Sequence, residues 1–162
     1  MNNEKIKKII IGFIFVTIIF SLDRISKISI LNIVNETGKI DIYVNSFLNL
    51  YLIWNKGIAF GLLSFDEQSI YHVITFIILI INLIIIYLIY LEKSIKIYFL
   101  YAILGGSFGN LFDRIYYNAV PDFIDLNYKD FHWFIFNVAD IFITLGILCL
   151  IFSELLNYKK LK

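Results

Sequence analysis

The chain has 162 residues, 60% of them hydrophobic and 18% aromatic, with a mean hydropathy of +0.81, and a soluble domain of this length has nowhere to hide so much apolar surface. The composition therefore marks an integral membrane protein. The net charge of +1 conceals a segregated pattern: Lys5, Lys7, Lys8, Lys93, Lys96, Lys159, Lys160 and Lys162 gather at the termini and in one short connection, Asp23, Glu36, Asp41, Asp66, Glu67, Asp113, Asp122, Asp125 and Asp130 fall in or beside the two remaining connections, and no nucleic-acid partner is expected.

Four apolar stretches reach or approach the ~17–25 residues a helix needs to cross a bilayer. Spans are expected over about residues 6–22, 72–91, 96–112 and 133–153. The first combines Ile6 with the run Ile9 to Leu22 behind the snorkelling Lys7 and Lys8. A cleaved secretory signal also has a basic start and a short apolar core, but no small-x-small site follows Phe20 and Asp23-Arg24-Ile25-Ser26-Lys27 continues directly. The outer segment, about residues 28–69, changes texture: Ile40-Asp41-Ile42-Tyr43-Val44 and Leu48-Asn49-Leu50-Tyr51-Leu52 alternate with the period of strands, and Val34 to Gly38 and Asn45-Ser46 supply turns. The second span is interrupted only by Thr75 and Asn82, and the fourth carries the lone Cys149, so no intrachain disulfide forms. The expected fold is an all-α membrane protein, a single domain over residues 1–162, with four transmembrane helices and a small extracytoplasmic β-sheet after the first. An even number of spans puts both termini on one side, and the lysine clusters place them and the Glu92 to Lys96 turn in the cytoplasm.

Asp140, with Asn137, stands inside the apolar run from Trp133 to Phe152. A carboxylate at that depth costs roughly 2.5–3.5 kcal/mol on insertion scales, so it needs a partner or a wet cavity and marks a functional site. Other polar residues share its layer at the outer ends of the spans: Asp23 and Lys27 after the first, Asn110, Asp113 and Arg114 closing the third. Asp23 and Lys27 are spaced to pair on a helix face, and Asp113 and Arg114 flank a helix end where snorkelling is ordinary, so neither pair reveals a function alone. Asp122 is more informative, because Val120-Pro121-Asp122-Phe123-Ile124-Asp125 re-enters the apolar layer just before the fourth span. Two carboxylates sharing a site do not easily both ionise, which divides them into general base and general acid, the chemistry of aspartic proteolysis. The same carboxylates also suit a small transporter or a proton or cation pathway. Such carriers commonly show inverted repeats with midplane sites, whereas no repeat is visible here and the polar layer lies at one face.

Gly105-Gly106-Ser107-Phe108-Gly109 has the spacing of a serine-hydrolase motif but lies inside a span, where Gly105 and Gly109 instead favour close helix packing. There is no H-E-x-x-H, no second Cys and no His pair at ligand spacing, so neither a metal nor another cofactor is expected. Asn55-Lys56-Gly57-Ile58-Ala59-Phe60-Gly61 joins an amide to two glycines, a weak signal by itself.

Taken in order, Asp23 to Lys27, Asn55 to Gly61, Gly105 to Arg114, Pro121 to Asp125 and Phe136-Asn137-Val138-Ala139-Asp140 resemble the lipoprotein signal peptidases, the signal peptidase II family of bacterial inner-membrane aspartic proteases. The resemblance covers nearly the whole chain. It departs at Pro121, where the family usually has Val, at Ile58, where Ala is common, and at Gly61, where Ser is common. It implies removal of the signal peptide from diacylglyceryl-modified prolipoproteins just before the lipidated cysteine, within a membrane whose lipids are further partners, and inhibition by globomycin. It implies Asp122 and Asp140 as the catalytic dyad. Asp23, Lys27, Asn55, Asn110, Arg114 and Asn137 then position dyad and substrate, with Gly105 and Gly109 allowing the helices to approach.

Overall fold

A computed structural model describes residues 3–38, 41–57, 67–128 and 131–160. In chain order they form α1 (Asn3–Thr37), β1 (Asp41–Asn45), β2 (Leu48–Asn55), α2 (Glu67–Leu91), α3 (Lys96–Tyr117), β3 (Val120–Tyr128), β4 (Phe131–Phe136) and α4 (Val138–Lys160). Among the described residues three helical stretches are long and apolar enough to cross a membrane: Ile6–Thr37, Tyr71–Leu91 and Val138–Asn157. The third expected span does fold as a helix, α3, but it is not among them. Its Gly105, Gly106, Ser107, Gly109 and Asn110 lower its hydropathy, and this helix packs against the other three. The central cluster shows this arrangement: Leu100, Ile103 and Leu104 of α3 and Ile85 of α2 are buried, with Val16, Ile89, Phe108, Ile143 and Leu150 packed round them.

The first helix does not end near Leu22 as the apolar run suggests. It continues to Thr37, 35 residues in all, or about 52 Å at 1.5 Å per residue, well beyond a ~30 Å hydrocarbon core. Residues 28–37, expected in the strand-forming segment, are therefore helical, and Val34 to Gly38 is a helix end rather than a turn between strands. Gly38, at φ +80°, closes it by donating its N–H to the Val34 carbonyl at 2.7 Å. The extension has a packing reason: Ile30, with Ile33 and Val34, covers the sheet at Phe123, Leu50, Leu52 and Ile124.

The sheet is antiparallel in the order β1-β2-β3-β4, so half of it comes from the connection before α4 rather than from the segment after α1. Strand β3 escapes the alternation test because Val120 to Phe123 are all buried, the Asp122 carboxylate included, so no apolar face alternates with an exposed polar one. Trp133 to Phe136, which the apolar pattern assigns to the last span, belong instead to β4, which pairs with β3, and α4 begins only at Val138. Pro121 stands in a central strand, opposite Trp54, but near its first residue, where a missing N–H is tolerated.

Candidate active site

The α4 N-terminus organises the site. Asn137 is its N-cap: the side-chain Oδ1 accepts the Asp140 N–H at 3.2 Å, and Asp140 Oδ2 accepts the Asn137 N–H at 3.1 Å. This is a reciprocal capping box built from Asn and Asp, and it satisfies two of the N–H groups that a helix start leaves free. A third, that of Ala139, donates to Asp23 Oδ1 of α1 at 3.0 Å. Helix capping thus fixes Asp140 and brings α1 to the same point.

Asn137 also reaches the second carboxylate, its Nδ2 donating to Asp122 Oδ1 at 2.5 Å. The other Asp122 oxygen accepts Asn55 Nδ2 at 2.9 Å. Asn55 is aimed by its own turn, since its Oδ1 accepts the Gly57 N–H at 2.9 Å and leaves the NH2 for Asp122. The remainder of that motif, Ile58 to Gly61, lies outside the described residues. Asp140 Oδ1 in turn accepts Asn110 Nδ2 of α3 at 2.8 Å. Three amides from three elements therefore hold two carboxylates, and Asn137 touches both. Burial pushes the Asp122 carboxyl up to about 6; hydrogen bonds from Asn55 and Asn137 offset this in part, and the charge of Asp140 adds to it.

Behind the carboxylates lies a closed ion cluster. Lys27, Asp23 and Asp113 are each 0% exposed. Lys27 Nζ contacts Asp23 Oδ1 at 2.9 Å and Asp113 Oδ2 at 2.6 Å, and donates to Asn110 Oδ1 at 3.0 Å. Arg24 forks onto Asp113 at 2.5 and 2.8 Å and reaches Asp23 at 2.8 Å. Two cations and two anions make the cluster neutral. Its approach to α3 and α4 depends on Gly109, where a Cβ would strike the Asp23 carboxylate and sit 3.5 Å from the Ala139 methyl.

Of the residues singled out in the sequence, Asp23, Lys27, Asn55, Asn110, Asp122, Asn137 and Asp140 join in this one network, and Gly109 abuts it. Gly105 does not: it lies one helical turn away against Ile19 and Val16 of α1, a packing position. Arg114 is buried with its carbonyl accepting the Tyr71 hydroxyl at 2.6 Å, while Nε and Nη1 have no partner among the described residues. Sequence reasoning gave no site role to Arg24 or Asp113, because a charge near a span end reads as snorkelling. The signal available was their adjacency to Asp23 and Arg114 in two helices that had to meet. Asp125 faces away from Asp122, as residues three apart on a strand must, and pairs with His132 at 2.8 Å. Among the described residues no group of His, Cys, Asp and Glu is arranged to hold a metal ion.

Apolar helices gathered round a buried polar layer, with a carboxylate pair where sheet meets helix, describe a multi-pass membrane enzyme. Two solved structures of bacterial membrane enzymes share the fold: one at TM-score 0.71 and 25% identity covers 93% of this chain and 91% of its own, the other at 0.70 and 26% covers 89% and 92%. The chain belongs to the signal peptidase (SPase) II family, which matches residues 15–156. It is 50% identical over 161 residues to a lipoprotein signal peptidase of Pelagibacter ubique (strain HTCC1062), covering 99% of this chain and 97% of that one. A lipoprotein signal peptidase of Anaplasma phagocytophilum (strain HZ) is 40% identical, with 92% and 94% covered, and one of Francisella tularensis subsp. novicida (strain U112) is 41% identical, with 72% and 75% covered.

Proposed function

We propose that this protein is an aspartic endopeptidase that removes the signal peptide from diacylglyceryl-modified prolipoproteins, cleaving before the lipidated cysteine. Membership of the signal peptidase II family supports a protease acting on prolipoproteins. The observation that supports the aspartic mechanism is that one residue, Asn137, holds both carboxylates, its side-chain Nδ2 donating to Asp122 and its backbone N–H to Asp140. Asp140, at the first turn of α4, takes the proton of a water that attacks the scissile carbonyl. Asp122, whose carboxyl is held up to about 6, donates its proton to the carbonyl oxygen; as the resulting diol collapses, Asp140 passes the proton it took from water to the leaving amine and a diol hydroxyl returns one to Asp122. Arg114, one turn beyond Asn110 on α3, has two guanidinium nitrogens, Nε and Nη1, without a partner among the described residues, and is suited to a substrate carbonyl. Lys27 is not a proton carrier on this reading, since its three donors are all engaged by Asp23, Asn110 and Asp113, and a transport pathway through the layer is disfavoured accordingly.

All four helices span the bacterial inner membrane, α3 shielded by the other three, with both termini cytoplasmic and the sheet and site at the outer face. Globomycin inhibits by occupying the same site. The deciding experiment is cleavage of a lipidated prolipoprotein by purified enzyme and by Asp122→Asn and Asp140→Asn. Loss of turnover in both, with folded protein, supports the dyad; turnover near wild type in either removes it.

A further inference from the structure

We propose that Asp113, clamped by Arg24, is a positioning residue for the reaction: by holding the Lys27 ammonium it sets which way the Asn110 amide faces and so keeps Asn110 Nδ2 on Asp140. The proposal rests on the assignment of Asp140 to the dyad. An asparagine amide presents an oxygen at one edge and an NH2 at the other, and its two orientations differ little in shape. Here the orientation matters, because only the NH2 edge can donate to Asp140 Oδ1, as it does at 2.8 Å. The opposite edge is decided by Lys27, whose Nζ lies 3.0 Å from Asn110 Oδ1. An ammonium facing an NH2 and a carboxylate facing an amide oxygen would both repel, so the Lys27 position selects one state. Lys27 in turn is fixed by the two carboxylates that take its other donors, of which Asp113 is the closer contact at 2.6 Å. Arg24 holds Asp113 with a two-pronged fork and is itself seated between Phe112 and Phe20, its guanidinium carbon 5.0 and 5.9 Å from their ring centres. The chain of contacts Arg24, Asp113, Lys27, Asn110, Asp140 is unbroken and is the one that ends on the reacting carboxylate, whereas the parallel contacts of Lys27 and Arg24 with Asp23 end on the Ala139 backbone N–H, so Asp113 acts on the Asp140 carboxylate chiefly through Asn110.

That last property is testable with purified full-length enzyme in detergent and a lipidated prolipoprotein. Asp113→Asn is expected to lower kcat about tenfold to a hundredfold, the scale of a misplaced reacting group, with KM unchanged within twofold. In an Asn110→Ala background, read by single-turnover rates with enzyme in excess, adding Asp113→Asn is expected to cost nothing further. An unchanged kcat in the single variant overturns the proposal. So does an equal fractional loss in both backgrounds, which a merely structural Asp113 would give. If Asp113→Asn is not monodisperse, Arg24→Met with Asp113→Asn keeps the cluster neutral and carries the same comparison, with the same expected loss and the same overturning results. Asp140→Asn run alongside separates the two readings: if it is active, dyad and positioning both fall, whereas if it is inactive and the losses multiply, the positioning role alone falls.

Discussion

Asp122 shows how a residue's chemistry and its cost to the fold come from one environment. Its carboxyl is raised from 3.8 to about 6, chiefly by burial, so the folded protein binds this proton more tightly than the unfolded chain does. The stability linked to the neutral form is therefore fully present below about pH 4 and lost as pH rises through about 6, a span worth about 3 kcal/mol at 1.36 kcal/mol per unit. Asp122→Asn should abolish cleavage and remove this pH dependence, so its apparent thermal midpoint in detergent should change less than that of wild type between pH 4 and pH 8. A wild-type midpoint that does not fall over that range would contradict the assigned shift. If protonated Asp122 is the general acid, kcat/KM should also decline as pH rises above about 6, whereas Asp125→Asn, on the opposite face of β3 beside His132, should retain activity. The sequence exposed the residues of this site because a carboxylate or amide in an apolar layer needs a reason to be there. It did not expose the capping box, since Asn137 to Asp140 reads as the interior of a span until the strand before it is known.

At the scale of elements, glycine decides how closely α1, α3 and α4 can meet. Gly109→Ala would drive a methyl into the Asp23 carboxylate, which is committed to Lys27, Arg24 and the Ala139 N–H, so cleavage should fall by at least tenfold together with stability. Gly105→Ala meets Ile19 at 2.9 Å and the Val16 carbonyl at 3.2 Å, away from the polar network, and should cost stability while sparing activity per folded molecule. Gly38→Ala meets nothing within 4 Å and carries only the strain of its positive φ, about 1 kcal/mol. Melting midpoints and specific activities of the three variants in one detergent check the ordering; equal activity losses for Gly105 and Gly109 would deny the distinction. The elements themselves were legible unevenly. The helices announce themselves by apolar length, and β1 and β2 by alternation. The outer third of α1 was hidden because its partner is the sheet rather than lipid, and β3 and β4 were hidden because burial on both faces, or a run such as Phe134-Ile135-Phe136, erases the period of two.

At the scale of the whole molecule, the fold sets the site at one end of the helices, where α3 gives way to β3 and β4 gives way to α4. A protease so built must hold its substrate at the depth of its carboxylates, and its outward surface is apolar, with Phe13, Phe76, Phe112 and Ile115 among the exposed side chains. The diacylglyceryl group of the proposed substrate would meet this need: at about 0.8 kcal/mol per buried methylene, two acyl chains would anchor the substrate firmly and leave the adjacent peptide bond at the interface. The orientation this requires is checked by reporter fusions after Lys93 and Lys162, expected to read cytoplasmic, and near Tyr128, expected to read external. An external reading at Lys162 would turn the site toward the wrong compartment. The same geometry predicts efficient cleavage of the lipidated precursor and at least a hundredfold slower cleavage of the identical unlipidated precursor, since losing even a few buried methylenes removes that much affinity. Equal rates on the two precursors, in one preparation of enzyme, would mean that the peptide alone is recognised and that the lipid plays no part in presenting the scissile bond to Asp122 and Asp140.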